Sequence, residues 1–95
     1  MSVDATYSSS AAAILSRVIA PETPSLSPEA ARSILQLDFQ VTDQQRMRAL
    51  AEKASAGTLT SDERDEAEGY NHVGHLLALL QSKARLSLKN AGLKP

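Results

Sequence analysis

The chain has 95 residues, a net charge of −1 and no cysteine, which excludes a disulfide framework and thiolate chemistry. Hydrophobic residues make up 42% of it but aromatic residues only 3%, which predicts a single domain with a thin aliphatic core of packed helices. The net charge is −2 over residues 1–41, −3 over residues 42–68 and +4 over residues 69–95, and four cations are too few to predict direct binding to nucleic acid.

The N-terminal residues do not match the pattern of a signal peptide. Residues 1–7 contain no basic residue ahead of the apolar ones, so no signal peptide is predicted. No apolar run approaches the roughly 20 residues that a transmembrane helix needs. We therefore expect a cytoplasmic protein that does not contact a membrane.

The first predicted element is a short helix over residues 11–20. Serines at positions 8–10 are candidate caps, and Pro21 ends the helix. One apolar face with a spacing of three and four is formed by Ile14, Leu15, Val18 and Ile19. Prolines at positions 21, 24 and 28 then predict a stiff linker. Residues 1–28 therefore have the pattern of an arm that folds onto its own chain or docks on a partner.

The second predicted helix begins at Pro28 and ends near Leu37. Ser27 is its predicted cap, proline is favoured at the first helical position, and Glu29 suits the first turn. Its apolar residues favour packing on the later helices, and docking on another molecule is the alternative.

The remaining chain is predicted to form a C-terminal helical hairpin, with helices over residues 42–56 and 60–91. Thr42 and Gln45 match a capping box, as do Thr60 and Glu63, and Gly57 matches the end of the first of these helices. The connection is very short, so the two helices are expected to be antiparallel neighbours. The predicted fold class is therefore all-α, a small helical bundle with two short N-terminal helices.

The long final helix carries two series of residues at helical spacing. The first is predicted to be the intramolecular core stripe, namely Tyr70, Val73, Leu77, Leu80, Ala84 and Leu88. The second series is rotated by more than a quarter turn and comprises His72, His75, Leu79, Ser82 and Leu86. One neighbouring helix cannot cover both series. An intermolecular contact is therefore expected, and a monomeric bundle closed by residues 11–37 is the alternative.

Candidate chemistry is sparse. Glu68, His72 and His75 lie on one helical face and are the weak candidates for a metal site, although no other element supplies a ligand. No Gly-rich phosphate loop and no specified nucleophile, base and orienter are present. We expect neither a resident cofactor nor enzymatic activity.

A family resemblance rests on two motifs. They are the turn Gly57-x-Leu59-Thr60-x-x-Glu63 and the segment Leu-Leu-Ala-Leu-Leu-Gln-Ser-Lys-Ala-Arg over residues 76–85, supported by the segment Ala-Glu-Lys-Ala at 51–54 and by Tyr70. Over residues 30–90 the chain resembles small bacterial helical proteins encoded beside HNH-type nucleases. The resemblance implies an antitoxin-like, immunity-like or accessory partner of such a nuclease, and it brings no known functional residues.

The preferred hypothesis is a non-enzymatic protein-interaction module. Its predicted partner-binding residues are His72, His75, Leu79, Arg85 and Leu86, assisted by Ile14, Leu15, Val18 and Ile19. The second hypothesis is a self-assembling homo-oligomer with a structural or DNA-associated role. The third is a metal-dependent enzyme.

Overall fold

The computed structural model describes the backbone of residues 3–95 and the side chains from residue 11 onward. Over this range the chain forms four α-helices and no strand. The helices are α1 (Val3–Ile19), α2 (Pro28–Leu35), α3 (Val41–Ala56) and α4 (Ser61–Asn90). The predicted all-α class and the long final helix are confirmed. Within the described range, none of the helices combines the length and apolar character that a membrane span requires.

The first helix is longer than predicted. It begins at Val3, so the predicted start after the three serines at 8–10 is wrong. Serine costs only about 0.5 kcal/mol relative to alanine inside a helix, and a run of serines therefore does not force a helix to begin. The predicted end is correct within one residue. Ala20 has a positive φ of 48°, directly before Pro21, which disfavours the α conformation in the residue that precedes it.

The second helix begins as predicted. The Oγ of Ser27 accepts a hydrogen bond of 3.2 Å from the N–H of Ala30, and Pro28 occupies the first turn. The helix ends at Leu35, two residues before the predicted end.

The start of α3 differs from the predicted capping box at Thr42. The cap position is Gln40, which makes no side-chain capping bond. Gln44 instead donates from Nε2 to the carbonyl of Phe39 at 2.8 Å, so a side chain inside the helix binds the segment that precedes it. The predicted end is confirmed, because Gly57 has a φ of 71° and donates its N–H to Ala54.

Both ends of α4 follow the predicted signals. The N–H of Glu63 donates to Oγ1 of Thr60 at 3.1 Å, and the N–H of Thr60 donates to a carboxylate oxygen of Glu63 at 3.0 Å. This reciprocal pair is a capping box. At the other end, Gly92 has a φ of 78° and Leu93 donates its N–H to the carbonyl of Leu88 at 2.8 Å. The helix therefore ends with a left-handed glycine.

The chain divides into two compact units. Of the described residues, the terminal unit comprises 3–37 and 75–95 and the central unit comprises 38–74, so that α4 contributes to both. Within the terminal unit, the fully buried residues of the described range form one small cluster of Ala31, Ala84 and Leu88, bordered by Leu26, Ile34 and Leu35.

Two polar side chains of α4 bind the backbone of the N-terminal segment within the terminal unit. The Nζ of Lys83, whose side chain is buried, donates to the carbonyl of Ile19 at the end of α1 at 2.6 Å. The Oγ of the buried Ser87 accepts from the N–H of Leu26 in the linker at 3.2 Å. Both bonds satisfy backbone groups that no helix supplies with a partner. The end of α1 and the linker are therefore held against the C-terminal half of α4.

The predicted core stripe of α4 is partly correct. Ala84 and Leu88 are buried, Tyr70, Leu77 and Leu80 are half-buried, and Val73 is 53% exposed. The buried side of the C-terminal half also includes Lys83 and Ser87, which the predicted stripe omitted because they are polar.

Candidate functional site

The outer face of α1 is apolar and uncovered. Ile14, Leu15 and Val18 are 52%, 44% and 73% exposed. Because successive residues are about 100° apart around a helix, these three side chains lie on one side of α1. Ile19 is half-buried, and its carbonyl oxygen accepts the hydrogen bond from Lys83. The structure therefore places three of the four predicted arm residues together at the surface, and we name Ile14, Leu15 and Val18 the α1 face.

The predicted binding residues of α4 are all at least partly exposed. His72, His75 and Arg85 are exposed, whereas Leu79 and Leu86 are half-buried. Four of these five, the exception being Arg85, are separated by intervals of three, four and seven residues and therefore follow one side of the helix. Arg85 borders that side. Neither leucine is sealed in the core, which is formed by other residues of the same helix.

Glu68, His72 and His75, the weak metal candidates, are spread along one exposed face of α4. Among the side chains from residue 11 onward, no group of three or more histidine, aspartate or glutamate residues is arranged to hold a metal ion. Seven residues separate Glu68 from His75, which corresponds to a rise of about 10 Å along a helix. Zinc ligands lie only about 2 Å from the ion, so a single exposed helix face cannot bring both ends of this series to one ion.

The central unit contains a cluster of ion pairs between α3 and α4. Arg46 donates to the two carboxylate oxygens of Glu66 at 2.9 and 2.8 Å, and Lys53 forms an ion pair with Glu63. The hydrogen bond from Lys53, followed by that from the backbone N–H of Thr60, lowers the pKa of Glu63 to about 2. The hydrogen bond from Arg46 likewise lowers the pKa of Glu66. These charges are already paired within the chain, so they hold the two helices together and are not free groups for catalysis.

A surface groove lies beside this cluster. Phe39 and Tyr70 pack edge to face with ring centroids 6.0 Å apart, and Val73 lines the same groove. The hydroxyl of Tyr70 donates to a carboxylate oxygen of Asp43 at 2.7 Å, and this bond raises the pKa of Tyr70. The phenol is therefore kept in its neutral form and acts as a hydrogen-bond donor. The groove can accept an apolar side chain, and it offers no activated nucleophile.

The C-terminal end of α4 forms a basic surface. Arg85 and Lys89 line a shallow groove with Leu86, Leu93 and Lys94. Residues 69–95 contain no acidic residue, so these three cations have no acidic neighbour in that stretch of sequence. Helical spacing predicted Arg85 and Leu86 but not Leu93, because Leu93 follows the end of α4 and joins this surface only through the turn at Gly92.

Comparisons of the chain with protein families, with curated proteins and with solved structures gave no match. The residues that carry a function are therefore identified from their exposure, their charge and their geometry.

Proposed function

We propose that the chain is a non-enzymatic, cytoplasmic protein-interaction module that binds a partner through the α1 face. The observation that supports this most strongly is the exposure of Ile14, Leu15 and Val18 on one side of one helix. Single exposed aliphatic residues are normal on protein surfaces, but neighbouring ones on one helix face form a patch that favours burial against another protein. Because they are 44–73% exposed, covering the remaining surface of each would contribute roughly 0.7–2 kcal/mol on binding.

The supporting architecture is a helical hairpin of α3 and α4 within a small bundle. Contacts within the central unit support the antiparallel hairpin, because Asp43 binds Tyr70, Arg46 binds Glu66 and Lys53 binds Glu63. As the residue number on α3 rises from 43 to 53, the number of its partner on α4 falls from 70 to 63, which is the order expected for antiparallel helices. In the terminal unit, Lys83 and Ser87 fix the end of α1 and the linker. An anchored helix with a free outer side suits recognition by a groove on a partner.

The partner class is taken from the family resemblance. The chain is similar to small bacterial helical proteins encoded beside HNH-type nucleases, so the partner we propose is such a nuclease. The role is then that of an antitoxin-like, immunity-like or accessory protein. Residues 14, 15 and 18 provide the closely spaced anchors that a helix presents to a hydrophobic groove.

The test is a binding measurement with the purified product of the neighbouring nuclease gene. Val18→Gln places a polar amide in the middle of the α1 face and is expected to weaken the complex at least tenfold, because about 1.4 kcal/mol corresponds to a factor of ten. The matched control is Val41→Gln, the same change at a valine that is 67% exposed at the start of α3. This control should bind like the unmodified chain.

Two outcomes contradict the proposal. The first is no complex between the unmodified chain and the nuclease at micromolar concentrations. The second is an equal loss of affinity for Val18→Gln and Val41→Gln, which would show that the α1 face is not the binding surface.

The second candidate function is self-association. It is favoured by Leu79 and Leu86, two leucines seven positions apart on one side of α4 that are only half-buried and so keep apolar surface in contact with solvent. Nucleic-acid binding by the basic surface would be a consequence of assembly, because one chain supplies few cations.

A further inference from the structure

The central unit has an apolar groove with an acidic edge. Phe39 and Tyr70 pack edge to face beside it, and Val73, which is 53% exposed, leaves apolar surface in contact with solvent. Gly69 also lines the groove, and a Cβ atom added to it would meet no other atom within 4 Å. We name this the central groove, and its lining residues, all from one unit, are Phe39, Asp43, Glu66, Gly69, Tyr70 and Val73. It can therefore accept apolar side chains from another molecule.

The central groove carries a negative charge that has no partner in the described residues. Glu66 is neutralised by Arg46, but Asp43, which accepts from the hydroxyl of Tyr70, forms no ion pair within that part of the chain. The surrounding charge has the same sign, because residues 38–74 contain eight acidic and four basic residues and have a net charge of −4. An occupant with a cation beside its apolar side chains is therefore favoured.

The α1 face has the complementary properties. It is convex, because side chains project from a helix, and its three aliphatic residues are uncovered. Arg17 is exposed and borders this face three positions after Ile14, and it forms no ion pair within the described part of the chain. Its surroundings are basic, since residues 3–37 and 75–95 contain six basic and three acidic residues and have a net charge of +3.

We propose that the α1 face of one copy of the chain docks in the central groove of a second copy, with Arg17 facing Asp43. A helix that places its apolar side in a groove is a common mode of recognition. The contact joins two different surfaces, and each of them lies within one compact unit. The consequence for regulation rests on the proposed function, because the α1 face then serves both a second copy and the nuclease, and the two compete for it.

Charge complementarity selects a second copy as the occupant. A unit with a net charge of −4 and a unit with a net charge of +3 attract each other when they belong to different copies. Pairing of like surfaces has no such gain, because two α1 faces bring two Arg17 side chains together and two grooves bring two Asp43 side chains together. The attraction acts between exposed charges, so we expect the association to weaken as salt is added.

The first experiment is sedimentation of the full chain at roughly 100 μM in low salt, a range in which weak complexes are populated. The unmodified chain should sediment as a species heavier than the 10.1 kDa monomer. Val18→Gln alters the α1 face, and Gly69→Gln places an amide in the central groove at a position with free space. Each variant alone should be monomeric, with a dissociation constant at least about tenfold higher. The matched control is Ser55→Gln, at an exposed position of α3 outside the groove, which should associate like the unmodified chain.

An equimolar mixture of the two variants distinguishes a lost contact from a lost fold. The Val18→Gln chain keeps its central groove and the Gly69→Gln chain keeps its α1 face, so the mixture retains one intact contact. It should therefore form a one-to-one dimer, although each variant alone is a monomer. A variant that had failed to fold could not supply the remaining surface.

The second experiment tests the facing charges. Arg17→Glu places a carboxylate opposite Asp43 and should raise the dissociation constant about threefold or more. The matched control is Arg32→Glu, which makes the same change of charge at another exposed arginine of the same unit. This control should have the smaller effect, because it alters the net charge of the unit but not the contact.

Four results would overturn this inference. They are an unmodified chain that stays monomeric, a Gly69→Gln chain that associates as well as the unmodified chain, a mixture of the two variants that stays monomeric, and equal effects of Arg17→Glu and Arg32→Glu.

Binding to the nuclease is a separate measurement. The Gly69→Gln chain should bind the nuclease at least as tightly as the unmodified chain, because its α1 face is intact and no second copy competes for it. A monomeric chain that binds the nuclease through Val18 would contradict the self-association alone. A self-associating chain that does not bind the nuclease would contradict the proposed function alone.

Discussion

Replacing Leu88 with alanine is expected to destabilise the chain strongly. Leu88 is fully buried against Ala31 and Ala84. The change removes three carbon atoms, which at about 0.8 kcal/mol each corresponds to about 2.4 kcal/mol of lost transfer free energy. A cavity term adds to this, because the methyl groups of the two alanines are too short to fill the space, and the measured range for such changes is about 2–5 kcal/mol. We expect a loss of about 3 kcal/mol in the free energy of unfolding, which lowers the melting temperature of a small domain by about 12–24 °C.

The assay is urea unfolding monitored by circular dichroism. The midpoints of the two proteins are compared when the free energy of unfolding depends on urea concentration with the same slope in both. The matched control is Leu15→Ala, the same chemical change on the α1 face, and because Leu15 is 44% exposed it should lower the free energy of unfolding by only about 1 kcal/mol. Equal destabilisation by the two changes would refute the assignment of the core to Leu88 and of the surface to Leu15.

Three further predictions concern the helix ends and pH. Gly57→Ala should destabilise the chain by about 1 kcal/mol because the residue has a left-handed φ, whereas Gly69→Ala inside α4 should stabilise it by about 0.5–1 kcal/mol, since the added methyl group meets no atom within 4 Å. Urea unfolding measures both, and effects of the same sign would contradict the structure. Thr60→Ala should cost about 1 kcal/mol and speed amide exchange at Glu63, and an unchanged exchange rate would argue against the capping box. The pKa of Glu63 is lowered from 4.5 to about 2, so its contribution to stability is fully present above pH 4.5 and is lost as the pH falls towards 2. Glu63→Gln should flatten this part of the dependence of unfolding free energy on pH, and an unaltered slope would count against the ion pair with Lys53.

The sequence predicted local features well because their partners are close in the chain. Ser27 caps a residue three positions later, and Thr60 and Glu63 cap each other across the same interval. Gly57 ends a helix by its own backbone conformation. The capping pattern at Thr42 was equally good but wrong, because the cap is Gln40, two positions earlier. A capping pattern therefore predicts where a helix begins only if other nearby residues, such as Gln44 in α3, do not stabilise an earlier start.

The sequence could not predict which polar residues are buried. Lysine and serine are residue types that usually lie on the surface. Lys83 and Ser87 are buried because they form hydrogen bonds with backbone atoms 64 and 61 positions away in the sequence. The sequence also could not predict whether the α1 face is exposed. The spacing of Ile14, Leu15 and Val18 is found both in helices that pack in a core and in helices that bind a partner. Only the placement of Ala31 and Leu88 in the core shows that the α1 face lies outside it.

The central claim is that the exposed α1 face binds another protein. Light scattering of the chain mixed with the HNH-type nuclease that we propose as its partner tests this claim most directly. The account predicts a single species whose mass contains both proteins, and its separation into two species when Val18 is replaced by glutamine. Two species with the masses of the separate proteins, for the unmodified chain at micromolar concentration, would contradict it.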